Sequence, residues 1–214
     1  MPKENLLICC AHSDDEIAGV GGTLLKYGSN TNILILIFSY GENSNPLLKK
    51  ELVIEQRVSE AKMVEKALKA KTVFLGLQDG MMITKINDQY IIKRVAKIIE
   101  DFKPSKIFTH SLSDLHTDHR GAYLITKKAL AVSGIKCGLY LFDVWSILSI
   151  FRRNKPRLYV DITNTFKKKI ELLKGFKSQH LSIYLLLPLI YIKARFNAIK
   201  AGEGIFVERF SKEL

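Results

Sequence analysis

The stretch LLICCAHSDDE, residues 6–16, joins a continuous apolar run to an imidazole and three adjacent carboxylates. A short run that is apolar at every position is typical of a strand buried on both faces, which here ends where the polar side chains begin. Further apolar runs predict strands at 33–38, 72–75, 106–109, 138–142 and 158–162. Helical periodicity between these runs predicts helices near 18–28, 48–69, 89–101 and 119–132.

This alternation of strands and helices indicates parallel strands joined by right-handed crossovers. At 214 residues the chain is long enough for one domain with a sizeable core, and no repeat or linker rich in Pro and Gly divides it. We therefore expect a single α/β domain over residues 1–214. Its sheet should be doubly wound, mostly parallel and Rossmann-like, with helices on both faces.

A second polar cluster, DLHTDH at residues 114–119, follows the predicted strand 106–109. Because the carboxyl ends of parallel strands share one edge of a sheet, both clusters are expected in one cleft. A catalytic zinc ion takes three protein ligands from His and Asp/Glu and keeps a position open for water. His12, Asp15 and His119 satisfy that count. Each cluster alone has a plainer explanation, as a helix N-cap or a solvated loop, but their coincidence favours a metal site.

The motifs AHSDDE at 11–16 and HTDH at 116–119 resemble the signatures of the LmbE-like, or PIG-L, family of zinc-dependent de-N-acetylases, in which proline stands at the position of Ser13. Weaker matches extend the resemblance to roughly residues 5 to 180 and lie at 39–42, 57–61, 74–80, 160–163 and 178–179. The resemblance implies one Zn²⁺ per chain on His12, Asp15 and His119. It also implies removal of the acetyl group from an N-acetylglucosamine-type amino sugar or its conjugate.

The same resemblance implies roles for the remaining polar residues of the two motifs. Asp14 is expected to be the general base, and a protonated His116 to hold the developing oxyanion. Asp118 is expected to orient an imidazole of the pair that it separates, His116 and His119. The leaving amine could receive its proton from Asp14 or from His116.

Two residues outside the motifs match positions where the family contacts its substrate, Arg57 and Asp79. Each has an alternative explanation. Arg57 could form an ion pair with Glu60 on the surface of a helix. Asp79, beside Gly80, could be an ordinary turn residue.

Two other functions remain as alternatives. DLHTDH differs at one position from the His-x-His-x-Asp-His motif of metallo-β-lactamase-type hydrolases, but that fold needs antiparallel hairpins ahead of the motif, where this chain predicts strand–helix alternation. The second alternative is a sugar- or lipid-binding module without catalysis. Such a module would be expected to lose the base or a ligand, and all are present.

The net charge of the chain indicates which kinds of partner it could bind. The chain has 33 Lys and Arg against 21 Asp and Glu, a net charge of +12, which suits an anionic partner. Nucleic acid is the least favoured, because the basic runs at 152–157 and 167–169 lack interleaved aromatic residues. A simply solvated lysine-rich surface is the plain alternative. Since residues 1–4 lead directly into the first strand with no secretory signal, we expect a cytoplasmic protein.

One apolar stretch, Leu181–Ile192, is harder to place because Pro188 interrupts it. It is shorter than the ~20 residues of a transmembrane helix. Three roles stay open: a wall of the active site, an interface in a homo-oligomer, or peripheral contact with an anionic membrane. Basic residues that could accompany a membrane contact are Arg152, Arg153, Lys155, Arg157, Lys193 and Arg195.

Overall fold

The computed structural model describes residues 3–146 and 156–213. Its strands are β1 (Glu4–Cys10), β2 (Thr31–Ser39), β3 (Lys71–Leu77), β4 (Lys106–His110), β5 (Gly138–Phe142), β6 (Arg157–Asp161) and β7 (Val207–Lys212). Its α-helices are α1 (Asp15–Tyr27), α2 (Lys50–Leu68), α3 (Gln89–Phe102), α4 (Thr117–Ser133), α5 (Thr163–Lys174) and α6 (His180–Ala201).

The seven described strands form one sheet in the order β3-β2-β1-β4-β5-β7-β6. The first five strands of the chain pair in parallel, and β7 runs antiparallel to both β5 and β6. The predicted doubly wound, mostly parallel sheet is therefore confirmed. The parallel pairing also excludes the metallo-β-lactamase alternative, which needs hairpins in this part of the chain.

Strand β1 divides the core into two apolar layers because alternate side chains point to opposite faces of a strand. Leu6, Ile8 and Cys10 pack on the side that carries α1, α2, α5 and α6. Leu7 and Cys9 pack on the side that carries α3 and α4. Each fully buried aliphatic side chain of this kind contributes about 1.5–3 kcal/mol. Helices on both faces thus follow directly from a strand that is apolar throughout.

The strand order reverses between β1 and β4, and this reversal positions the functional site. From β1 the chain proceeds outward through β2 and β3, then returns to place β4 on the other side of β1. The register pairs Leu6 with Lys106 and Cys9 with Thr109, so both strands end at the same level. Open α/β sheets bind ligands in the crevice at such a switch point. Both polar clusters begin there.

The C-terminal part contains elements that the sequence did not predict. Strand β7 inserts between β5 and β6, and its buried Glu208 accepts hydrogen bonds from the backbone N–H groups of Gly22 (2.9 Å) and Thr23 (2.7 Å) and from Lys169 Nζ (2.7 Å). Helix α6 contains the whole Leu181–Ile192 stretch and continues through Pro188. The stretch is therefore one part of a longer helix.

Candidate active site

The loop between β1 and α1 turns sharply at Asp14, whose φ of 126° is rare for a residue with a side chain. Such a conformation costs on the order of 1–3 kcal/mol and persists only where neighbouring contacts enforce it. Here the Asp14 N–H donates to Glu16 Oε2 (2.9 Å), and the Asp14 carbonyl accepts from Ile17 N (3.0 Å) and Ala18 N (2.9 Å). The Asp14 side chain makes no capping hydrogen bond to α1 and lines the cleft instead.

The predicted ligand residues His12, Asp15 and His119 meet at this point. Asp15 Oδ1 lies 3.2 Å from His119 Nε2, and Asp15 Oδ2 lies 3.6 Å from His12 Nδ1 and accepts the His12 backbone N–H (2.9 Å). One ligand atom from each residue lies within 4.8 Å of the other two, and all three residues are buried. Asp15 and His119 begin α1 and α4, so two helix N-termini converge on the same point.

The donor chemistry of this group fits zinc. Two imidazoles and one carboxylate match a catalytic zinc site, and all three residues line the open cleft. Two overlapping groups of described residues also have close ligand atoms, but each includes at least one residue that does not line the cleft. His110, Asp114 and His119 form one, and there the Ala11 N–H donates to His110 Nε2 (3.1 Å).

The second overlapping group consists of His12, Asp79 and Asp118. Both Asp118 oxygens accept backbone N–H groups, from Gly80 (2.7 Å) and Met82 (3.1 Å). His12, Asp15 and His119 therefore remain the ligand set that fits best.

Asp114 orients His119. Its Oδ1 lies 3.0 Å from His119 Nδ1 and accepts the His116 N–H (3.1 Å), while its Oδ2 accepts the N–H groups of Val144 (2.6 Å) and Trp145 (3.2 Å). Burial would raise the pKa of Asp114, but the His119 contact outweighs burial and holds this pKa well below its usual range. Burial alone would lower the pKa of His119, but the carboxylates of Asp15, which has the larger effect, and Asp114 raise this pKa to about 9. A carboxylate behind a ligating imidazole is the usual second layer of a zinc site.

Asp118 faces His12, which differs from the sequence prediction. His12 Nε2 lies 3.1 Å from Asp79 Oδ1 and 3.5 Å from Asp118 Oδ2. The Asp118 carboxylate thus faces His12 rather than His116 or His119, because residues one or two positions apart on a helix do not face each other; of Asp118, only the backbone N–H contacts His116. Although burial opposes it, contact with Asp118, Asp15 and Asp79 raises the pKa of His12 well above its usual value.

His116 is the N-cap of α4, and its Nδ1 accepts the Asp118 N–H at 3.2 Å. This hydrogen bond assigns the ring proton to Nε2. Burial, followed by the neighbouring His119 and His12, lowers the pKa of His116. With Nδ1 accepting, the ring offers one N–H donor in this structure, whereas the imidazolium expected from the sequence would offer two.

Burial raises the pKa of Asp14 to about 6, with Arg57 opposing the shift and Asp15 reinforcing it. A carboxylate with such a pKa is ionised at neutral pH yet basic enough to take a proton. Glu16, which holds the Asp14 backbone, is fully buried. Burial raises the pKa of Glu16 to about 8. It therefore carries a proton at neutral pH.

Arg57 lies beneath the cleft. It is 2% exposed, and a Cβ built on Gly41 would come within 2.6 Å of its Nη2, so only glycine permits this approach. Its Nε and Nη1 find no hydrogen-bond partner among the described residues. Glu60 instead accepts from the N–H (2.8 Å) and hydroxyl (2.6 Å) of Ser178, so the structure does not support a surface ion pair with Arg57.

Asp79 also lines the cleft, but its carboxylate is engaged. Oδ1 contacts His12, and Oδ2 accepts the Asn43 N–H at 3.1 Å. The Asp79 N–H donates to Glu42 Oε1 (3.0 Å). Asp79 is thus more than an ordinary turn residue, because it joins the β2–α2 loop to a predicted metal ligand.

The cleft has a volume of about 460 Å³ and a lining of mixed chemistry. The predicted ligands line it together with Asp14, Arg57, Asp79 and His116. Its apolar wall consists of Val144, Trp145, Leu173, Ile183 and Leu186, and the polar Gln179 and Ser182 lie among them in the chain. Because Ile183 and Leu186 belong to α6, the inner face of the Leu181–Ile192 stretch is a wall of this cleft.

His110 is the residue of this site that the sequence did not indicate. It is fully buried at the end of β4, its Nε2 lies 3.3 Å from Asp15 Oδ2, and its ring stacks on His119 with centroids 3.9 Å apart. Burial, and then the neighbouring His119, lowers its pKa to about 4. As the last residue of an apolar strand it resembles a core histidine, so only its position beside the second motif could have drawn attention to it.

Comparisons with known proteins give one family match and several similar solved structures. Residues 7–130 match the PIG-L family, described as GlcNAc-PI de-N-acetylase. Among solved structures, the chain is similar to the 4-carboxy-2-hydroxymuconate hydratase GalB from Pseudomonas putida, with 19% identity, 99% of this chain and 96% of that chain covered, and a TM-score of 0.82. It is also similar to N,N'-diacetylchitobiose deacetylase from Pyrococcus horikoshii, with 19% identity, coverage of 98% and 84%, and a TM-score of 0.79.

A zinc-inhibited form of a teicoplanin deacetylase is a third similar structure, with 14% identity, coverage of 97% of both chains and a TM-score of 0.78. At these identities the likeness is evidence for the fold alone. One fold therefore supports deacetylation in two of these proteins and hydration in the third.

Proposed function

The chain belongs to the PIG-L (GlcNAc-PI de-N-acetylase) family, and on that premise we propose that it is a zinc-dependent hydrolase that removes acetyl from an N-acetylated amino sugar or its conjugate. One observation carries the proposal. His12, Asp15 and His119 converge in an open cleft, beside Asp14, whose side chain makes no hydrogen bond to the helix that it caps. A catalytic metal site needs such a ligand set together with a separate base.

His12, Asp15 and His119 would hold the zinc ion, which when bound supplies a Lewis acid that activates water and the acetamide carbonyl. The Asp14 carboxylate takes the proton from the attacking water. His116 donates its Nε2–H to the carbonyl oxygen as negative charge develops there. Asp14 then returns its proton to the nitrogen, which leaves as an amine.

The remaining residues bind and orient the substrate. Arg57 lines the cleft from a rigid, buried position, and its Nε and Nη1 have no hydrogen-bond partner among the described residues, which suits recognition of sugar oxygens or of a neighbouring anionic group. Asp79, Asp114 and Asp118 hold the imidazoles. The apolar wall of Trp145, Ile183 and Leu186 excludes water from one side of the substrate.

The test is amine and acetate release from a panel of N-acetylglucosamine conjugates, including soluble and lipid-linked sugars. We expect equal amounts of amine and acetate with zinc-loaded protein, and loss of both after treatment with a chelator. Binding of a sugar without product from any member of the panel would instead support the non-catalytic module.

A further inference from the structure

The outer face of α6 carries an apolar stripe, which the exposed Arg195 interrupts between Ile192 and Ile199. At 100° per residue, Leu181, Leu185, Pro188, Ile192 and Ile199 all fall within about 60° of one another around the helix. Their exposed fractions are 77% for Leu181, 67% for Leu185, 54% for Ile192 and 75% for Ile199, and Pro188 is exposed as well. The stripe spans eighteen residues of rise, about 27 Å. An exposed apolar surface of this length marks an interaction site.

The inner face of the same helix is fixed to the domain. Ile183, Leu186, Ile190 and Ala194 are buried. In addition, Lys193 Nζ donates a hydrogen bond to the Asp143 carbonyl. The segment Lys177–Ala201 has the length and, with a mean hydropathy of 1.3, the composition of a membrane-spanning helix. Because its inner face belongs to the core, α6 can lie on an apolar surface without leaving the protein.

Two surfaces could cover the stripe, a second copy of this chain or a lipid bilayer, and charge distinguishes between them. Helix α6 has no Asp or Glu, exposes Arg195 and Lys200, and belongs to a chain with a net charge of +12. A second copy would bring like charges together, and an antiparallel helix pair would place Arg195 near Leu185 with no acidic residue on either helix. An anionic bilayer instead supplies the opposite charge, worth about 1 kcal/mol for each Lys or Arg near the surface.

We propose that the outer face of α6 docks on the surface of an anionic lipid bilayer, with the helix lying in the plane of the interface. Leu181, Leu185 and Ile192 enter the boundary between headgroups and acyl chains. Tyr184 (51% exposed) and Tyr191 (43% exposed) flank the stripe on one side, where an amphipathic ring suits the headgroup level.

Docking in this orientation places the cleft on the opposite side of α6 from the lipid, about one helix diameter away. Ser182, Ile183 and Leu186 line the cleft from the same helical turns that present Leu181 and Leu185 to the outside. Leu115, which precedes the cleft residue His116, is a further exposed leucine, at 69%. The inference goes beyond the proposed function and does not depend on it, because docking requires neither zinc nor a substrate.

The basic residues that the sequence suggested for a membrane contact differ in whether they can reach a lipid surface. Lys193 does not contribute, because its ammonium group is bound to the Asp143 carbonyl and burial lowers its pKa to about 8. Arg195 donates to the Ile205 carbonyl (3.2 Å) but remains exposed. Arg152, Arg153 and Lys155 lie outside the described residues.

The test is sedimentation of the full-length protein with vesicles of phosphatidylcholine alone or of phosphatidylcholine mixed with phosphatidylglycerol, at low and high salt. We expect binding to the anionic vesicles, weakened by salt. Leu181→Ser, Leu185→Ser and Ile192→Ser should each reduce partitioning about tenfold or more, since each removes a side chain that the interface buries. Tyr90→Ser and Val132→Ser, at positions 75% and 55% exposed on α3 and α4, are the matched controls and should bind like wild type.

Sedimentation equilibrium of the same variants provides the outcome that would overturn the inference. The wild type could bind neither vesicle type and form a dimer that Leu181→Ser or Leu185→Ser dissociates. That result would show that the stripe is a subunit interface. Equal binding of the stripe variants and of wild type to anionic vesicles would also refute it. Amine release from a soluble substrate should be unchanged in the stripe variants, so failure of docking and failure of the proposed chemistry are distinguishable.

Discussion

Asp114 is not one of the predicted metal ligands, yet it contacts both His119 and the backbone around the site. The substitution Asp114→Asn measures how much these contacts contribute to stability and to zinc affinity. Both carboxylate oxygens face donors: Oδ1 faces His119 Nδ1 and the His116 N–H, and Oδ2 accepts the N–H groups of Val144 and Trp145. An asparagine must turn its NH₂ group toward one of these pairs, whichever way the amide is oriented. Turned toward Val144 and Trp145, the NH₂ group loses two hydrogen bonds; turned toward His119 and His116, it loses the bond from the His116 N–H, because a neutral His119 ring can accept from it. At least one hydrogen bond to a charged acceptor is therefore lost, at about 1.5–3 kcal/mol.

We therefore expect Asp114→Asn to lower the free energy of unfolding by at least about 1.5–3 kcal/mol, measured by urea denaturation of the zinc-free protein. Because His119 loses the group that orients it, zinc affinity should also fall by about 10–100-fold, measured by competition with a chromophoric chelator. The affinity measurement uses conditions in which circular dichroism shows that the variant is folded.

Asp143→Asn is the matched control. The Asp143 side chain accepts from the hydroxyl groups of Ser111 and Ser113, which can rotate to accept a hydrogen bond from an amide instead. This variant should therefore lose less than about 1.5 kcal/mol and keep its zinc affinity. If Asp114→Asn were as stable as Asp143→Asn and bound zinc like wild type, the role assigned to Asp114 would be wrong.

Two further predictions concern the base and a buried ammonium group. Asp14→Asn should retain zinc, measured by metal analysis, but its turnover should fall on the order of 10²–10⁴-fold. Asp15→Asn should lose the metal itself. The opposite pair of results would mean that Asp14 is the ligand and Asp15 the base. Burial lowers the pKa of Lys193 from 10.5 to about 8. Between these pH values the Lys193 side chain is protonated in the unfolded chain but not in the folded protein, so the free energy of unfolding of the wild type should rise with pH. Relative to Lys193→Met, measured in parallel urea titrations, the rise should reach about 3 kcal/mol. A difference between the two proteins that stays constant with pH would contradict this prediction.

The sequence determined the features that depend on local pattern. Apolar runs and helical periods are properties of a few neighbouring residues, so the strands β1 to β6 and the helices α1 to α4 were predictable. Parallel strands share one edge of the sheet, and this rule predicted that Asp15 and His119 would lie in one cleft although they are far apart in the chain. The family motifs predicted roles for these residues that metal analysis and kinetics can now test.

Tertiary structure alone decided which groups pair around the metal ligands. Asp114 contacts His119 and Asp118 contacts His12 because the phase of α4 turns adjacent side chains in different directions. The same applies to His110, which is an ordinary strand residue until the register of β1 and β4 places it against Asp15. Strand β7 pairs with β5, nearly seventy residues away in the chain, and no local pattern encodes such a contact. Pairings of this kind depend on how whole elements are placed, and placement is a property of the packed core rather than of any one segment.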